Sequence, residues 1–223
     1  MPDDPVTPVA HVIYLHGFAS SPASSKAQRF RVELEARRIG FSCPDFNEPD
    51  FETLTVTRML EQTRAAVAGA GRAPVALVGS SLGAFVAVHA AAADAGRRVD
   101  RLILLAPALD FGGNRLRQLG EHGLEEWRRR GTLRVMHYAL GEEREVGFAL
   151  YEDAARYDAF TLDLELPVLA FQGRRDAVVD PDMVADWASR RPGVDLRLVD
   201  DDHQLPASMD LIWRESQAFL GLA

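Results

Sequence analysis

Cysteine is nearly missing from this sequence. Cys43 is the single thiol, so no intrachain disulfide can form, and stability must come from a packed core in a setting consistent with a reducing compartment. Next to Pro44 at a predicted strand end, Cys43 itself reads as a buried, inert side chain. Positive charge is also in deficit. Twenty-five Lys and Arg stand against 33 Asp and Glu, a net charge of −8, which argues against a general nucleic-acid binder because phosphate affinity rests on Lys and Arg. No apolar run approaches the roughly 18 residues expected of a membrane span. The start, Met1-Pro2-Asp3-Asp4, has neither a basic patch nor an apolar leader. Together these absences predict a soluble, cytoplasmic protein. The sequence also has no HExxH, no paired CxxC, no GKS or GKT phosphate loop and no GxGxxG, so no metal and no cofactor is expected. His11 and His16 are not a metal pair, since their odd separation along a strand sends them to opposite faces.

What is present is a repeated alternation of short apolar runs and amphipathic segments. A chain of 223 residues, 47% of them hydrophobic, suffices for one domain over 1–223 with its own core. Strands are predicted over Val9–Phe18, Phe41–Pro44, Val75–Val78, Arg101–Leu105, Val168–Phe171 and Leu196–Val199. Helices are predicted over Ser24–Ile39, Glu52–Ala70, Leu82–Ala95, Pro181–Arg190 and Ala207–Leu220, with Asp180 as an N-cap before Pro181. Near-continuous Val, Ile and Leu in the strands indicate burial on both faces. The expected fold class is α/β: three layers, with a mostly parallel sheet of about six strands between helices. Such sheets bind ligands at the carboxyl ends of their strands. One region breaks the rhythm. Residues 110–164 separate two strands by far more than one helix, with a charged helical stretch over Asn114–Arg130 and a hairpin over Leu133–Ala139 and Glu145–Leu150 around Gly141. This region reads as a cap inserted over the carboxyl ends of the sheet.

Four strand ends carry reactive side chains. Gly79-Ser80-Ser81-Leu82-Gly83 fits G-x-S-x-G between a buried strand and a helix, the setting of a nucleophile elbow. Gly79 and Gly83 remove side chains that would clash in so tight a turn. Ser81 then faces the cleft as nucleophile, with the Leu82 N–H positioned for an oxyanion. His16-Gly17-Phe18 follows the first strand, and the Phe18 N–H is a second oxyanion donor. His16 is expected to stabilise its loop, because the base of this order of residues comes last in the chain. Asp176 follows the penultimate strand and is the expected acid, ahead of Asp110 and of Asp180, which is better explained as a helix cap. His203 follows the last strand inside Asp200-Asp201-Asp202-His203-Gln204 and alone follows both the serine and the acid. The run of Asp residues reads as mostly solvated, and could also bias His203 toward its protonated form. The order Ser, Asp, His at successive strand ends predicts acyl transfer through a Ser81–His203–Asp176 triad.

The segment from Tyr14 to Lys26, with His16-Gly17-Phe18, Ser20-Ser21-Pro22, Ser24 and Lys26, is similar to the HGF-x-SSP-x-S-x-K start of the small bacterial YqiA/YcfP-like esterases, and Gly79-Ser80-Ser81-Leu82-Gly83 resembles their GSSLG elbow. The resemblance covers the core strands and the elbow. It implies an α/β-hydrolase lacking the first two strands of that fold, an acyl-ester hydrolase with Ser81, Asp176 and His203 in the triad positions. The cap is longer than in the smallest members. Ser20, Ser21 and Lys26 match without an assigned role.

The expected partner is a small-molecule acyl substrate, and the residues carry no signal for an oligomeric state. Thioesterase, amidase, lactonase and acyltransferase chemistry would use the same triad, and a non-catalytic binding or scaffold protein could share the fold. Arg115, Arg117, Arg128, Arg129, Arg130, Arg134 and Arg144 in the cap could meet an acidic substrate, but a solvated, salt-bridged face is the commoner use of such a charge run. Trp127, Tyr138, Phe148 and Tyr151 could line a pocket or form the cap's own core.

Overall fold

A computed structural model describes residues 8–222. Met1–Asp4 and the side chains of residues 112–118, among them Arg115 and Arg117, lie outside the described residues.

The expected alternation is the architecture. Strands β1 (His11–Leu15), β2 (Gly40–Ser42), β3 (Val75–Ser80), β4 (Val99–Leu105), β7 (Val168–Gly173) and β8 (Val194–Val199) form one sheet in the order β2-β1-β3-β4-β7-β8. Every pairing in it is parallel. Helices α1 (Ser25–Glu35), α2 (Val56–Gly69), α3 (Leu82–Ala92), α6 (Pro181–Ser189) and α7 (Met209–Phe219) cover its two faces. The alternation of side chains along a strand divides the core in two. Val12, Tyr14, Ala76 and Val78 pack with Phe30 and Leu34 of α1 and Ile212 and Trp213 of α7. Ile13, Leu15, Val75 and Leu77 pack with Met59 of α2, Phe85 of α3 and Trp187 of α6. Both faces are buried, so β1 and β3 show no polar alternation, as a parallel central strand should not.

Between β4 and β7 the chain leaves the sheet. It forms α4 (Phe111–Arg130), the antiparallel pair β5 (Thr132–His137) and β6 (Glu142–Gly147), and the short helix α5 (Ala149–Ala154). Gly120, at φ 66°, breaks α4 into two helical pieces. Trp127, Phe148 and Tyr151 stack on one another with ring centroids 5.5–6.2 Å apart. Trp127 Nε1 donates to the Val146 carbonyl at 3.1 Å. These three aromatics therefore form a core for the insertion, which is continuous with the main one. Arg128, Arg130, Arg134 and Arg144 pair with glutamates of the insertion at its surface.

Some boundaries differ from expectation. The second hairpin strand is Glu142–Gly147, three residues earlier than predicted. His137 pairs with Glu142 across a turn that ends at Gly141, φ 69°. Four of the six β6 residues are exposed, so no hydrophobic alternation marks the strand, and the apolar Phe148–Leu150 belong instead to the start of α5. Helix α1 stops at Glu35 rather than Ile39, because the chain reverses through Arg38 at φ 59°. Helix α2 starts at Val56, where the Thr55 side chain accepts from the Arg58 N–H; the apolar pattern upstream is loop.

Candidate active site

The site grows out of the end of β3. All six β3 residues are buried, and α3 begins two residues after the strand ends. Ser81 alone makes the turn, at φ 54° and ψ −116°, a conformation that costs a non-glycine residue energy and persists only when its surroundings impose it. The surroundings do so. The Ser81 N–H donates to the Leu105 carbonyl at 2.9 Å, and the Ser81 carbonyl accepts from Ala84 at 3.0 Å and Ala108 at 3.3 Å. A Cβ on Gly83 would lie 2.0 Å from the Leu15 carbonyl oxygen, and one on Gly79 would lie 2.5 Å from the Ala84 Cα. Glycine at 83 lets the elbow pack that closely against β1, and glycine at 79 lets the start of α3 fold back onto the strand end.

Asp176 lies just after β7 and His203 just after β8. His203 Nδ1 lies 2.8 Å from Asp176 Oδ2, and His203 Nε2 lies 3.1 Å from Ser81 Oγ. The carboxylate accepts, so Nδ1 carries the ring proton and Nε2 is left to accept from the serine hydroxyl. The acid is tightly fixed. Its Oδ1 accepts from the N–H groups of Val178 and Val179, both at 2.8 Å, and Oδ2 also accepts from Gln172 Nε2 at 2.9 Å. Burial alone would raise the Asp176 pKa; the hydrogen bonds from His203, Val179 and Gln172 outweigh it and hold the carboxyl below its usual range.

The loop carrying His203 is pinned from several sides. The buried Asp201 carboxylate accepts from the N–H groups of Ser208 at 2.8 Å and Asp202 at 2.9 Å. Asp200 pairs with Arg175, and Asp202 accepts from the Gln204 N–H. Each Asp of that run is thus engaged in holding the loop. Lys26, at the start of α1, donates from Nζ to the Gln204 carbonyl at 2.9 Å. Gln172, Asp201 and Lys26 escaped the sequence reading as parts of this site. A lone polar residue near the end of an otherwise apolar strand was the available signal for Gln172; Asp201 and Lys26 matter only through partners the fold delivers.

A cavity of about 480 Å³ opens over Ser81 and His203, and Phe18, Leu82, Phe111 and Tyr138 also line it. Both residues expected to supply oxyanion N–H groups are therefore at the cavity wall. His16 is elsewhere engaged: Nδ1 donates to the Gly17 carbonyl and Nε2 accepts from the Phe46 N–H, both at 2.9 Å, as its loop-stabilising reading requires. Asp180 accepts from the Asp182 N–H as the cap of α6. Neither Asp180 nor Asp110 is the partner of His203. Burial pushes the Cys43 thiol up to about 12. Among the described residues no group of three or more potential ligands could hold a metal ion, and no helix is long and apolar enough to cross a membrane.

The sequence pattern of an uncharacterised protein family, UPF0227, matches residues 11–219. No curated protein matches the chain. Among solved structures it is similar to a protein from Agrobacterium vitis S4 provisionally described as a hydrolase, with TM-score 0.83 and 26% identity over 95% of this chain and 88% of that one. It is also similar to mouse alpha/beta hydrolase domain-containing protein 10, with TM-score 0.79 and 22% identity over 96% and 90%. A third neighbour is Est1E from Butyrivibrio proteoclasticus with ferulic acid bound, with TM-score 0.77 and 18% identity over 98% and 90%. The fold is that of the α/β-hydrolase superfamily.

Proposed function

We propose that this chain, which belongs to the uncharacterised family UPF0227, is a serine hydrolase that cleaves a carboxylic ester through an acyl-enzyme. The observation that carries the reading is the hydrogen-bonded line Ser81 Oγ, His203 Nε2, His203 Nδ1, Asp176 Oδ2, at 3.1 and 2.8 Å, with its serine on a strained turn. A scaffold would have no use for that strain. The described hydrolase from Agrobacterium vitis and the resemblance to YqiA/YcfP-like esterases point the same way.

In this mechanism Ser81 Oγ attacks the carbonyl carbon as its proton passes to His203 Nε2. The carbonyl oxygen gains the displaced electron pair, and the N–H groups of Leu82 and Phe18 stabilise it. The tetrahedral adduct collapses, the carbon–oxygen bond to the alcohol breaks, and the alcohol leaves with the proton from His203. Water then gives a proton to His203 and attacks the acyl-serine, releasing the acid and restoring Ser81. Asp176 stays ionised throughout, fixing the imidazole tautomer and stabilising the imidazolium. Its four hydrogen bonds suit that role. The insertion over 110–164 acts as a cap that shapes the substrate pocket, through Phe111 and Tyr138. A single, half-buried thiol is in keeping with a cytoplasmic enzyme.

The test is hydrolysis of p-nitrophenyl esters across acyl lengths. Ser81→Ala, with its fold checked by circular dichroism, is expected to lose about 10⁴-fold or more in kcat, and a fluorophosphonate should label Ser81 of the wild type. A folded variant that keeps its activity sinks the assignment.

A further inference from the structure

One wall of the cavity is made of donors that no carboxylate satisfies. Lys26 is only 9% exposed. Its ammonium has three N–H groups, and its partners are both neutral: the Gln204 carbonyl at 2.9 Å and Gln204 Oε1 at 3.4 Å. Among the described residues no carboxylate comes within ion-pair distance of it, although a buried ammonium is costly to leave unpaired. Burial pulls its pKa down to about 8, against the opposing field of Asp202, Asp176 and Asp201, so it is mostly charged at neutral pH. Tyr14 is fully buried, and its hydroxyl makes no hydrogen bond of ordinary geometry, even with Ser80 as its neighbour. Burial raises the Tyr14 pKa, so the phenol keeps its proton and remains a donor. The third component is the start of α1. Ser24, its N-cap, makes no side-chain cap bond, and first-turn N–H groups have no intrahelical acceptor and favour negative charge.

Tyr14, Ser24, Ser25 and Lys26 all line the cavity that holds Ser81 and His203, and no Asp or Glu among the described residues does. None of the described arginines of the insertion lines it either.

We propose that the α1 side of this cavity is an anion-binding subsite, and that the substrate is an ester carrying a carboxylate which seats against the Lys26 ammonium, the Tyr14 hydroxyl and the start of α1. The proposal rests on the serine-hydrolase reading and names its substrate class. A bound carboxylate gives Lys26 the counter-charge and Tyr14 the acceptor that each lacks. It also ties recognition to chemistry, because Lys26 holds the backbone of Gln204, the residue after His203.

Two matched ester pairs test it. One carries the charge on the acyl part: mono-p-nitrophenyl adipate against p-nitrophenyl hexanoate. The other carries it on the leaving group: 3-acetoxybenzoate against its methyl ester. In one pair the wild-type kcat/KM for the charged member is expected to exceed that of the neutral one by about tenfold or more. Lys26→Met should cut that ratio at least about tenfold, and Tyr14→Phe about threefold. Neutral members hydrolysed as fast as charged ones in both pairs would overturn the proposal. So would a Lys26→Met variant that slows both members of a pair equally, since that reads loop anchoring alone. If Lys26→Met fails to fold, the wild-type ratio and its change in Tyr14→Phe decide. If wild type turns over none of the four esters, protection of Ser81 from a fluorophosphonate is read instead; adipate should protect and hexanamide should not, and equal protection counts against the subsite. Absence of any Ser81 labelling would remove the hydrolase reading itself and this inference with it.

Discussion

On the sheet side of the cavity, Ser81 is fixed by four backbone hydrogen bonds and Asp176 accepts four. On the insertion side, Tyr138 stands 76% exposed at a hairpin turn, with Met136 and Leu140 also exposed beside it. Among the described residues the insertion is tied to the rest of the molecule by the Gly147 N–H on the Glu52 carbonyl, by His137 on Asn47, by the buried Asp153 carboxylate accepting from the N–H and hydroxyl of Thr57, and by the carbonyls of Ala159, Phe160 and Leu162 accepting from Trp187 and Arg191. The first wall holds the proposed reacting groups in a dense hydrogen-bond network, as bond-making would require. The exposed side chains of the second, Met136, Tyr138 and Leu140, lie outside these ties and can vary in sequence without disturbing the first wall. In the proposed reaction, catalysis falls to the first wall and the fit of the acyl chain to the second.

Substitutions on the two walls should separate accordingly. After Ser81→Ala, the largest effect is expected from Asp176→Asn, which keeps the shape but allows the wrong His203 tautomer; kcat should fall about 10³- to 10⁴-fold. The same variant should alter the acid limb of stability. The folded Asp176 pKa lies below the unfolded one, so as pH falls the unfolded chain takes up the proton first. Stability contributed above the usual carboxylate range is then lost as pH drops through the folded pKa. Urea titrations at stepped pH should show a shallower acid loss in Asp176→Asn; an identical slope would deny the carboxylate its stabilised state. Next comes Gly83→Ala. Its new Cβ would meet the Leu15 backbone at 2.0 Å, a contact no side-chain rotation relieves, so unfolding should show a loss of about 3 kcal/mol or more. A Gly83→Ala variant as stable as wild type would mean the elbow is looser than it is drawn. The smallest effect belongs to Tyr138→Ala on the opposite wall. Stability should stay within about 0.5 kcal/mol, while the acyl-length profile shifts with kcat/KM changes under about tenfold. A loss of several orders of magnitude there would erase the distinction between the walls.

Much of the first wall could be read from the residues alone, and little of the second. Strands such as Val75–Ser80 are buried on both faces, so their continuous apolar runs stand out. Reactive residues directly after such runs are brought together by parallel pairing itself: β3 beside β4, β4 beside β7, β7 beside β8. That is why Ser81, Asp176 and His203, far apart in sequence, come within hydrogen-bond reach in the expected order. Strand β6 gave no comparable signal. Its residues Glu142 to Glu145 are all exposed, and a ribbon wet on both faces imposes no alternation. Lys26 sat in view within the segment that resembles the esterases, but its meaning depends on Gln204, 178 residues further on, and local pattern cannot anticipate such a meeting. Gln172 is similar: a buried amide reads as an anomaly in an apolar strand until the Asp176 carboxylate is found beside it.

The position of His203 also has a consequence for synthesis. The turn around Ser81 is complete once the chain reaches Ala108, whose N–H closes on it. The imidazole follows 122 residues after the serine, which at about 5–20 residues per second is about 6–24 s of further translation. Until β8 emerges and pairs beside β7, Ser81 lacks its hydrogen bond to His203 and Lys26 has no Gln204 to hold. A ribosome-bound fragment ending before β8 is therefore expected to be inert toward esters, and the proposed activity is acquired only once His203 has emerged.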